Sequence, residues 1–292
     1  MATSLERFAA FLERAERSRL TIKNYLSDLR AFAAWFEQTS GDALDPAKIT
    51  PTDLREYKRW MLTHCGFKPN SINRKLATLK SFIHWAAQAG LVTDASALKI
   101  PKAEREERPG PRWLDRQEQN KLLRAAERLG QGRDLAIIKL LLNTGLRVQE
   151  LCELTWSDVT LSERKGTLTV RSCKGGKRRQ VPLNQSARSA LLAMGYHRHA
   201  GQRSRIFAGQ RGPLTPRGVQ NLLSKYVTAA GLEEVSPHSL RHTFCKSLVD
   251  AGVGLEKIAA LAGHESLETT RRYCEPSLKD LQRVVELIGE EE

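Results

Sequence analysis

The stretch LAGHESLETTRRYCEP, residues 261–276, combines the end of a helix with groups that proteins use for catalysis. Gly263 follows an apolar run and is typical of a helix end. His264 precedes Tyr273 by nine positions, and Arg271 and Arg272 stand directly before that tyrosine. Most tyrosines are half-buried packing residues. The positive charge around Tyr273 favours a second interpretation, in which the phenol contacts a ligand or acts as a nucleophile.

Length and charge indicate the kind of partner. With 292 residues the chain is long enough for two domains, and its 47 Lys and Arg against 33 Asp and Glu give a net charge of +14. A folded protein this basic needs a polyanion or an anionic surface as partner. No apolar run approaches the roughly 20 residues of a membrane span, and the early charges at the N-terminus are unlike a secretion signal. We expect a cytoplasmic protein. Its five cysteines form no CxxC pair, which favours reduced thiols over disulfides or a zinc site.

The pattern of apolar residues predicts a mainly α fold with a small β-hairpin or sheet. Residues 1–98 read as a small helical bundle, with helices over 21–38, 52–62 and 71–88 and a cap at Thr21. Residues 99–112 combine prolines with mixed charge, as an extended linker does. Residues 113–292 form a second domain that is α+β. Its predicted helices cover 115–129, 133–143, 184–194, 216–230, 237–251, 255–262 and 278–288.

Two short motifs carry arginines near predicted helix starts. In NTGLRVQEL, residues 143–151, Gly145 ends one helix and Arg147 opens the next, with Glu150 one turn along. Arg147 is either a surface partner of Glu150 or an anion clamp. In SPHSLRH, residues 236–242, His238 and Arg241 share the face of a helix capped by Ser236. A metal site on that helix is disfavoured because no HExxH pattern and no third ligand accompany the histidines. The HRH triplet at 197–199 is read as a solvated loop.

A hairpin around Gly175 and Gly176 carries four cations, which are Lys174, Lys177, Arg178 and Arg179. A charged hairpin often serves only to discourage strand pairing. In a protein of this net charge it is more plausibly directed at nucleic acid.

In these motifs the chain resembles the tyrosine recombinases, the family of phage integrases and Xer-type recombinases. TGLRxxEL, the basic hairpin, HxLRH and GHxSLxTTxxY occur in the family's order, and the N-terminal helices look like its SAM-like core-binding domain. The hairpin tip KGGKRR departs slightly from the family pattern. The resemblance implies a DNA recombinase without metal or cofactor. It implies Tyr273 as nucleophile, Arg147 and Arg241 as phosphate clamps, Lys174 as general acid, His238 and His264 as hydrogen-bonding or proton-shuttling partners, and Glu150 as a supporting carboxylate.

The chemistry and partners follow as expectations. Cations near Tyr273 should favour its phenolate, and Lys177, Arg178, Arg179, Arg271 and Arg272 should contact DNA. The segment 278–288 is amphipathic. The resemblance implies that it docks on a neighbouring protomer, giving homo- or hetero-tetramers on two duplex recombination sites, and packing on its own chain is the alternative. Two other interpretations stay open. One is a type IB topoisomerase-like DNA relaxer, and the other is a basic DNA-binding protein without catalysis.

Overall fold

The computed structural model describes residues 3–93, 103, 111–171, 178–209, 212–274, 282 and 285. The chain divides into two compact units, Met1–Arg108 and Pro109–Glu292. The domain assignment 1–98, 99–112 and 113–292 stays a prediction, because its linker lies outside the described residues apart from 103, 111 and 112. Among the described residues, no helix is both long and apolar enough to cross a bilayer.

The first unit is a helical bundle, as predicted, and its described residues form four α-helices. They are α1 (Ser4–Arg14), α2 (Arg19–Ser40), α3 (Pro51–Thr63) and α4 (Pro69–Gln88). Phe8, Phe32 and Phe82 are fully buried in its aromatic core. The predicted cap at Thr21 is wrong. Thr21 lies inside α2, and its backbone N–H donates to the hydroxyl of Ser18, which caps the helix.

In its described residues, the second unit is mainly helical and carries two small antiparallel sheets, one of three strands and one of two, which agrees with the α+β prediction. Its helices are α5 (Arg116–Leu129), α6 (Gly132–Thr144), α7 (Val148–Glu153), α8 (Gln185–Ala193), α9 (Tyr196–His199), α10 (Pro216–Ala229), α11 (Pro237–Asp250), α12 (Leu255–Ala262) and α13 (Leu267–Arg271). Its strands are β1 (Val159–Leu161), β2 (Gly166–Arg171), β3 (Arg178–Pro182), β4 (Ala208–Gly209) and β5 (Gly212–Pro213). The buried helix α6 lies at the centre of the apolar core.

The predicted hairpin is present as the β2–β3 pair. Leu168 pairs with Val181 and both are buried, while Arg171 pairs with Arg178 at the end of the hairpin next to residues 172–177. The turn at 172–177 lies outside the described residues, and with it Lys174 and Lys177. Strand β1, on the other side of β2, was not predicted. Its three residues are too few for a strand period to be recognised.

Two glycines end helices at points where a side chain from another element packs closely. Gly145 ends α6 with a φ of 60°, and a Cβ there would lie 2.4 Å from the ring of Phe244 on α11. Gly263 ends α12 with a φ of 68°, and a Cβ there would lie 2.7 Å from the guanidinium of Arg179. Both positions require glycine because other residues are strained at positive φ. The chain can therefore bring α11 and β3 against these two helix ends.

Candidate active site

Glu150 is the centre of an ion-pair network in the second unit. This side chain is 5% exposed and accepts two hydrogen bonds of 2.8 Å from the guanidinium of Arg179. Arg147 donates to the same carboxylate from Nη1 at 3.0 Å and from its backbone N–H at 2.8 Å. One buried carboxylate thus holds two guanidinium groups, one from the start of α7 and one from β3. We call these three residues the Glu150 network.

Arg179 differs from its predicted role. The sequence predicts that Arg179 contacts DNA together with the other hairpin cations, but its side chain is only 15% exposed. Its Nε donates to the carbonyl of Leu261 at the end of α12, at 3.0 Å, and its other nitrogens bind Glu150. The sequence predicts Arg179 on an exposed, charged hairpin. In the fold its side chain points inward, and its hydrogen bonds link β3 to α7 and α12.

Each predicted phosphate clamp donates to the carbonyl of a glycine that ends a helix. Arg147 also donates from Nη2 to the carbonyl of Gly263 at 2.6 Å, and its side chain is 40% exposed. Arg241 is buried and donates to the carbonyl of Gly145. Burial, followed by the positive charge of Arg147, lowers the pKa of Arg241 to about 10. Arg241 therefore remains charged at neutral pH, and an anion that binds both arginines would relieve their mutual repulsion.

His238 and His264 both lie within the field of these arginines. Burial, then Arg241 and Arg147, lower the pKa of His238. Burial, then the same two arginines, lower the pKa of His264 to about 4. The Nδ1 of His264 is 2.8 Å from the hydroxyl of the buried Thr270, which orients the ring. His264 is therefore neutral at pH 7 and can offer one N–H to an oxygen acceptor.

Tyr273 follows α13 and is 3% exposed. It packs in a small cluster with Cys245, Ile258 and Ala262. Burial, then Cys245, raise the pKa of Tyr273 above that of a free phenol, and the charges of Arg241 and Arg272 offset only part of that rise. The expectation that neighbouring cations favour the phenolate is wrong for this structure. The phenol is protonated because burial outweighs the cations.

The other predicted DNA-contacting residues are at the surface. Arg178 is exposed on β3, and Arg271 and Arg272 are exposed at the end of α13. The charge of Arg272 acts on both His242 and Tyr273. The structure brings together the following predicted catalytic residues: Arg147 and Glu150 at the start of α7, His238 and Arg241 on α11, His264 after α12, and Tyr273 after α13. Lys174 lies outside the described residues.

His242 received no role from the sequence, yet its Nδ1 lies 2.6 Å from the hydroxyl oxygen of Tyr273. A signal for it was present, because a spacing of four residues places His238 and His242 on one face of a helix. Their ring centroids lie 6.4 Å apart. From the sequence alone, this spacing suggested only a pair of metal ligands.

The structure does not assemble a metal site from the histidine motifs. Within the described parts of the chain, no three side chains of His, Cys, Asp or Glu are grouped as metal ligands would be. In the HRH triplet, His199 stacks on Trp156 and His197 meets Tyr196 edge to face. These two rings take part in packing around α9.

The Glu150 network predicts a dependence of stability on pH. Burial raises the pKa of Glu150, but the hydrogen bonds from Arg179 and Arg147 outweigh it, so the folded pKa is lowered. A carboxyl with a lowered folded pKa stabilises the fold above its unfolded value of about 4.3, and this contribution is lost as pH falls through the folded pKa. Glu150→Gln should lower the free energy of unfolding at pH 7 by about 3–5 kcal/mol, because it leaves two guanidiniums without their carboxylate.

Urea unfolding of both proteins from pH 7 to pH 3 measures this effect. The deficit of Glu150→Gln should begin to shrink once the pH falls below about 4.3, where the carboxyl of the unfolded wild-type chain takes up its proton, and it should shrink further as the pH falls through the lower folded pKa. Glu163→Gln, at an exposed position in the second unit, should follow the wild type at every pH. A constant difference between Glu150→Gln and wild type across the whole range would contradict the prediction.

Comparison with known proteins places the chain in a family. The phage integrase family pattern matches residues 112–279, and the N-terminal SAM-like domain of phage integrases matches residues 5–90. The chain belongs to the phage integrase family, whose members are tyrosine recombinases. The tyrosine recombinase XerC of Xanthomonas campestris pv. campestris is 31% identical over 97% of this chain and 87% of that protein. XerA of Pyrococcus furiosus is 33% identical over 97% of this chain and 92% of that protein.

Solved structures support the same fold. The crystal structure of XerA recombinase matches 99% of this chain and 99% of that chain with 27% identity and a TM-score of 0.54. XerH bound to palindromic difH substrate matches 99% of this chain and 85% of that chain with a TM-score of 0.75 at 22% identity. The predicted fold class and family resemblance are therefore confirmed.

Proposed function

We propose that this chain is a site-specific DNA recombinase, which cuts a strand with Tyr273 and rejoins it to a new partner. One observation carries the proposal. Folding gathers Arg147, Arg241, His238, His264 and Tyr273 around the ends of a few helices, although 126 residues separate the first from the last. Two fixed guanidiniums, of which that of Arg241 acts on the phenol of Tyr273, suit a phosphodiester, since both non-bridging oxygens need donors as charge develops.

The proposed reaction uses only side chains. The phenolic oxygen attacks phosphorus, and the 5′ oxygen leaves with a proton from Lys174, the proposed general acid. The product is a 3′-phosphotyrosyl protein, in which the phosphodiester energy is kept. Attack by the 5′ hydroxyl of another strand reverses the step, so neither metal nor ATP is required. In this scheme Glu150 holds Arg147 in place, and the neutral His264 donates to a phosphate oxygen.

The proposed partner is double-stranded DNA that contains a specific recombination site. Relatives of the same fold have been solved on DNA: XerH on its difH substrate, and a lambda integrase dimer on a core site. Lys177, Arg178, Arg271 and Arg272 would contact phosphates, which makes affinity sensitive to salt. The bundle and the catalytic domain would each contact the duplex. An enzyme acting on chromosomal or plasmid DNA would work in the cytoplasm at the nucleoid.

A tetramer on two DNA sites, joined through the C-terminal helix, is part of the same proposal. The segment that would form this helix, 278–288, lies outside the described residues apart from Gln282 and Val285. Both are helical and exposed, and Val285 is 66% exposed. An exposed apolar side chain at this position is compatible with docking on a second protomer.

Strand exchange between two sites is the decisive test. Duplexes from a random library that become covalently attached are recovered under denaturing conditions, and the enriched site is placed twice on one supercoiled plasmid. A recombinase should yield two smaller circles or an inverted segment. Relaxation without exchange would indicate a topoisomerase-like enzyme, and binding without covalent attachment would indicate a DNA-binding protein. Either of the last two outcomes would refute the proposed function.

A further inference from the structure

The hydroxyl of Tyr273 lies against a basic nitrogen that the mechanism above leaves without a role. His242 is on the second turn of α11, one residue after Arg241, and its Nδ1 is 2.6 Å from the tyrosine oxygen. The two ring centroids are 5.4 Å apart and the ring planes are tilted by 48°. With Tyr273 only 3% exposed, this hydrogen bond is shielded from water.

The other groups around the phenol are poorer acceptors. His264 stacks on the face of the tyrosine ring, with centroids 6.1 Å apart and planes 11° apart, and its Nδ1 is taken by Thr270. The thiol of Cys245 also touches the hydroxyl, but burial raises its pKa to about 11 and a protonated thiol is a weak acceptor. Among the described residues, His242 therefore offers the best placed base.

The protonation state of His242 decides which group donates in the hydrogen bond between its Nδ1 and the hydroxyl of Tyr273. Burial lowers the pKa of His242 to about 4, and the nearby His238, Arg241 and Arg272 act in the same direction. The imidazole is therefore neutral at pH 7, with one nitrogen bearing hydrogen and the other bearing a free lone pair. Since a phenol is a stronger donor than a neutral imidazole N–H, the hydroxyl donates to Nδ1.

We propose that His242 is a catalytic residue that accepts the phenolic proton of Tyr273 during strand cleavage, an inference that rests on the proposed function. As the bond from the tyrosine oxygen to phosphorus forms, its proton moves to Nδ1 and the bond from phosphorus to the 5′ oxygen breaks. The leaving oxygen takes its proton from the general acid. In rejoining, the charged His242 returns its proton to the departing tyrosine oxygen, so the step balances in both directions.

Bound DNA would make His242 a stronger base. The positive charges of Arg241 and Arg272 weaken it in the free protein. Burial is the main cause of the low pKa of His242 and would remain, but a phosphate held by Arg147 and Arg241 would offset the charge of Arg241 and so raise this pKa. The phenol would thus stay protonated in the free protein and lose its proton only where a phosphate is bound.

Substitution at His242 tests the step. His242→Asn places an amide oxygen near the position of Nδ1, so it keeps an acceptor but cannot take up a proton. We expect its single-turnover cleavage to fall by roughly 10²–10⁴-fold, the range for general acid–base catalysis. DNA affinity and melting temperature should change little. His197→Asn, at an exposed position, is the matched control and should cleave like wild type.

A substrate with sulfur at the 5′ bridging position separates the two proton transfers. A thiolate leaves without protonation, so the sulfur substrate should restore cleavage to Lys174→Ala but not to His242→Asn. Unchanged or faster cleavage by His242→Asn would overturn the proposal, because His242 would then only hold the tyrosine in place and would not accept its proton. Rescue of His242→Asn by sulfur would overturn it as well. If wild type forms no adduct on any duplex, the proposed function itself fails.

A measurement without DNA tests the hydrogen bond directly. In the ¹⁵N spectrum of histidine-labelled protein, Nδ1 of His242 should have the shift of an unprotonated nitrogen at pH 7 and should move in Tyr273→Phe. The His242 pKa followed in the same spectra should lie well below 6.5. A protonated Nδ1 at pH 7, or no response to Tyr273→Phe, would refute the assignment whatever the variants do in cleavage.

Discussion

Tyr273→Phe should abolish the covalent protein–DNA adduct completely while leaving DNA affinity within about twofold. The substitution removes only the hydroxyl oxygen, which is the proposed nucleophile, and the ring keeps its packing against Cys245 and Ile258. Because the adduct contains that oxygen, no other change in the site can restore it. Denaturing gels of protein incubated with a nicked duplex of the recovered site measure the result.

The variant must also be shown to fold. Loss of the hydroxyl leaves Nδ1 of His242 without its buried donor, which costs about 1–3 kcal/mol. Thermal unfolding should therefore show a modest decrease in stability and a single transition. Tyr25→Phe is the matched control, because Tyr25 packs on Phe8 in the first unit, and it should form the adduct normally. An adduct in Tyr273→Phe would exclude this residue as the nucleophile.

Loss of either clamp arginine is the second large effect we expect. Arg241→Lys and Arg147→Lys each retain a positive charge but lose the planar fork that matches two phosphate oxygens. A fixed donor to a developing charge is worth about 2.7–4 kcal/mol, so cleavage should slow by roughly 10²–10³-fold for each substitution. Binding of DNA should weaken far less, since many phosphates outside the site contribute to it.

The two arginines should differ in a second property. Arg241 is 4% exposed and bonded to Gly145, so its substitution should also lower stability. Arg147 is 40% exposed, and its loss should act mainly on the reaction. Single-turnover cleavage with saturating protein, together with thermal unfolding, separates these effects. Arg198→Lys on the exposed side of α9 should match wild type in both assays. Cleavage by Arg241→Lys or Arg147→Lys at the wild-type rate would refute the phosphate clamp.

Much of the architecture could be predicted without coordinates, because local signals agree with the fold. Helices such as α5 and α10 begin and end within a residue or so of the predicted bounds, with Asp115 and Thr215 as caps. Gly145 ends α6 as expected. The short strand β1 escaped prediction because no periodicity can be recognised in three residues.

The sequence by itself determined the order of the motifs, the helical pattern and the excess of positive charge. Only the tertiary structure decided that Arg179 turns inward to Glu150, that His242 meets Tyr273, and that burial outweighs the cations around the phenol. The reason is physical. A helix forms from neighbours in the chain, whereas a hydrogen bond or a pKa depends on distances between residues 29 or 31 positions apart, which only folding sets.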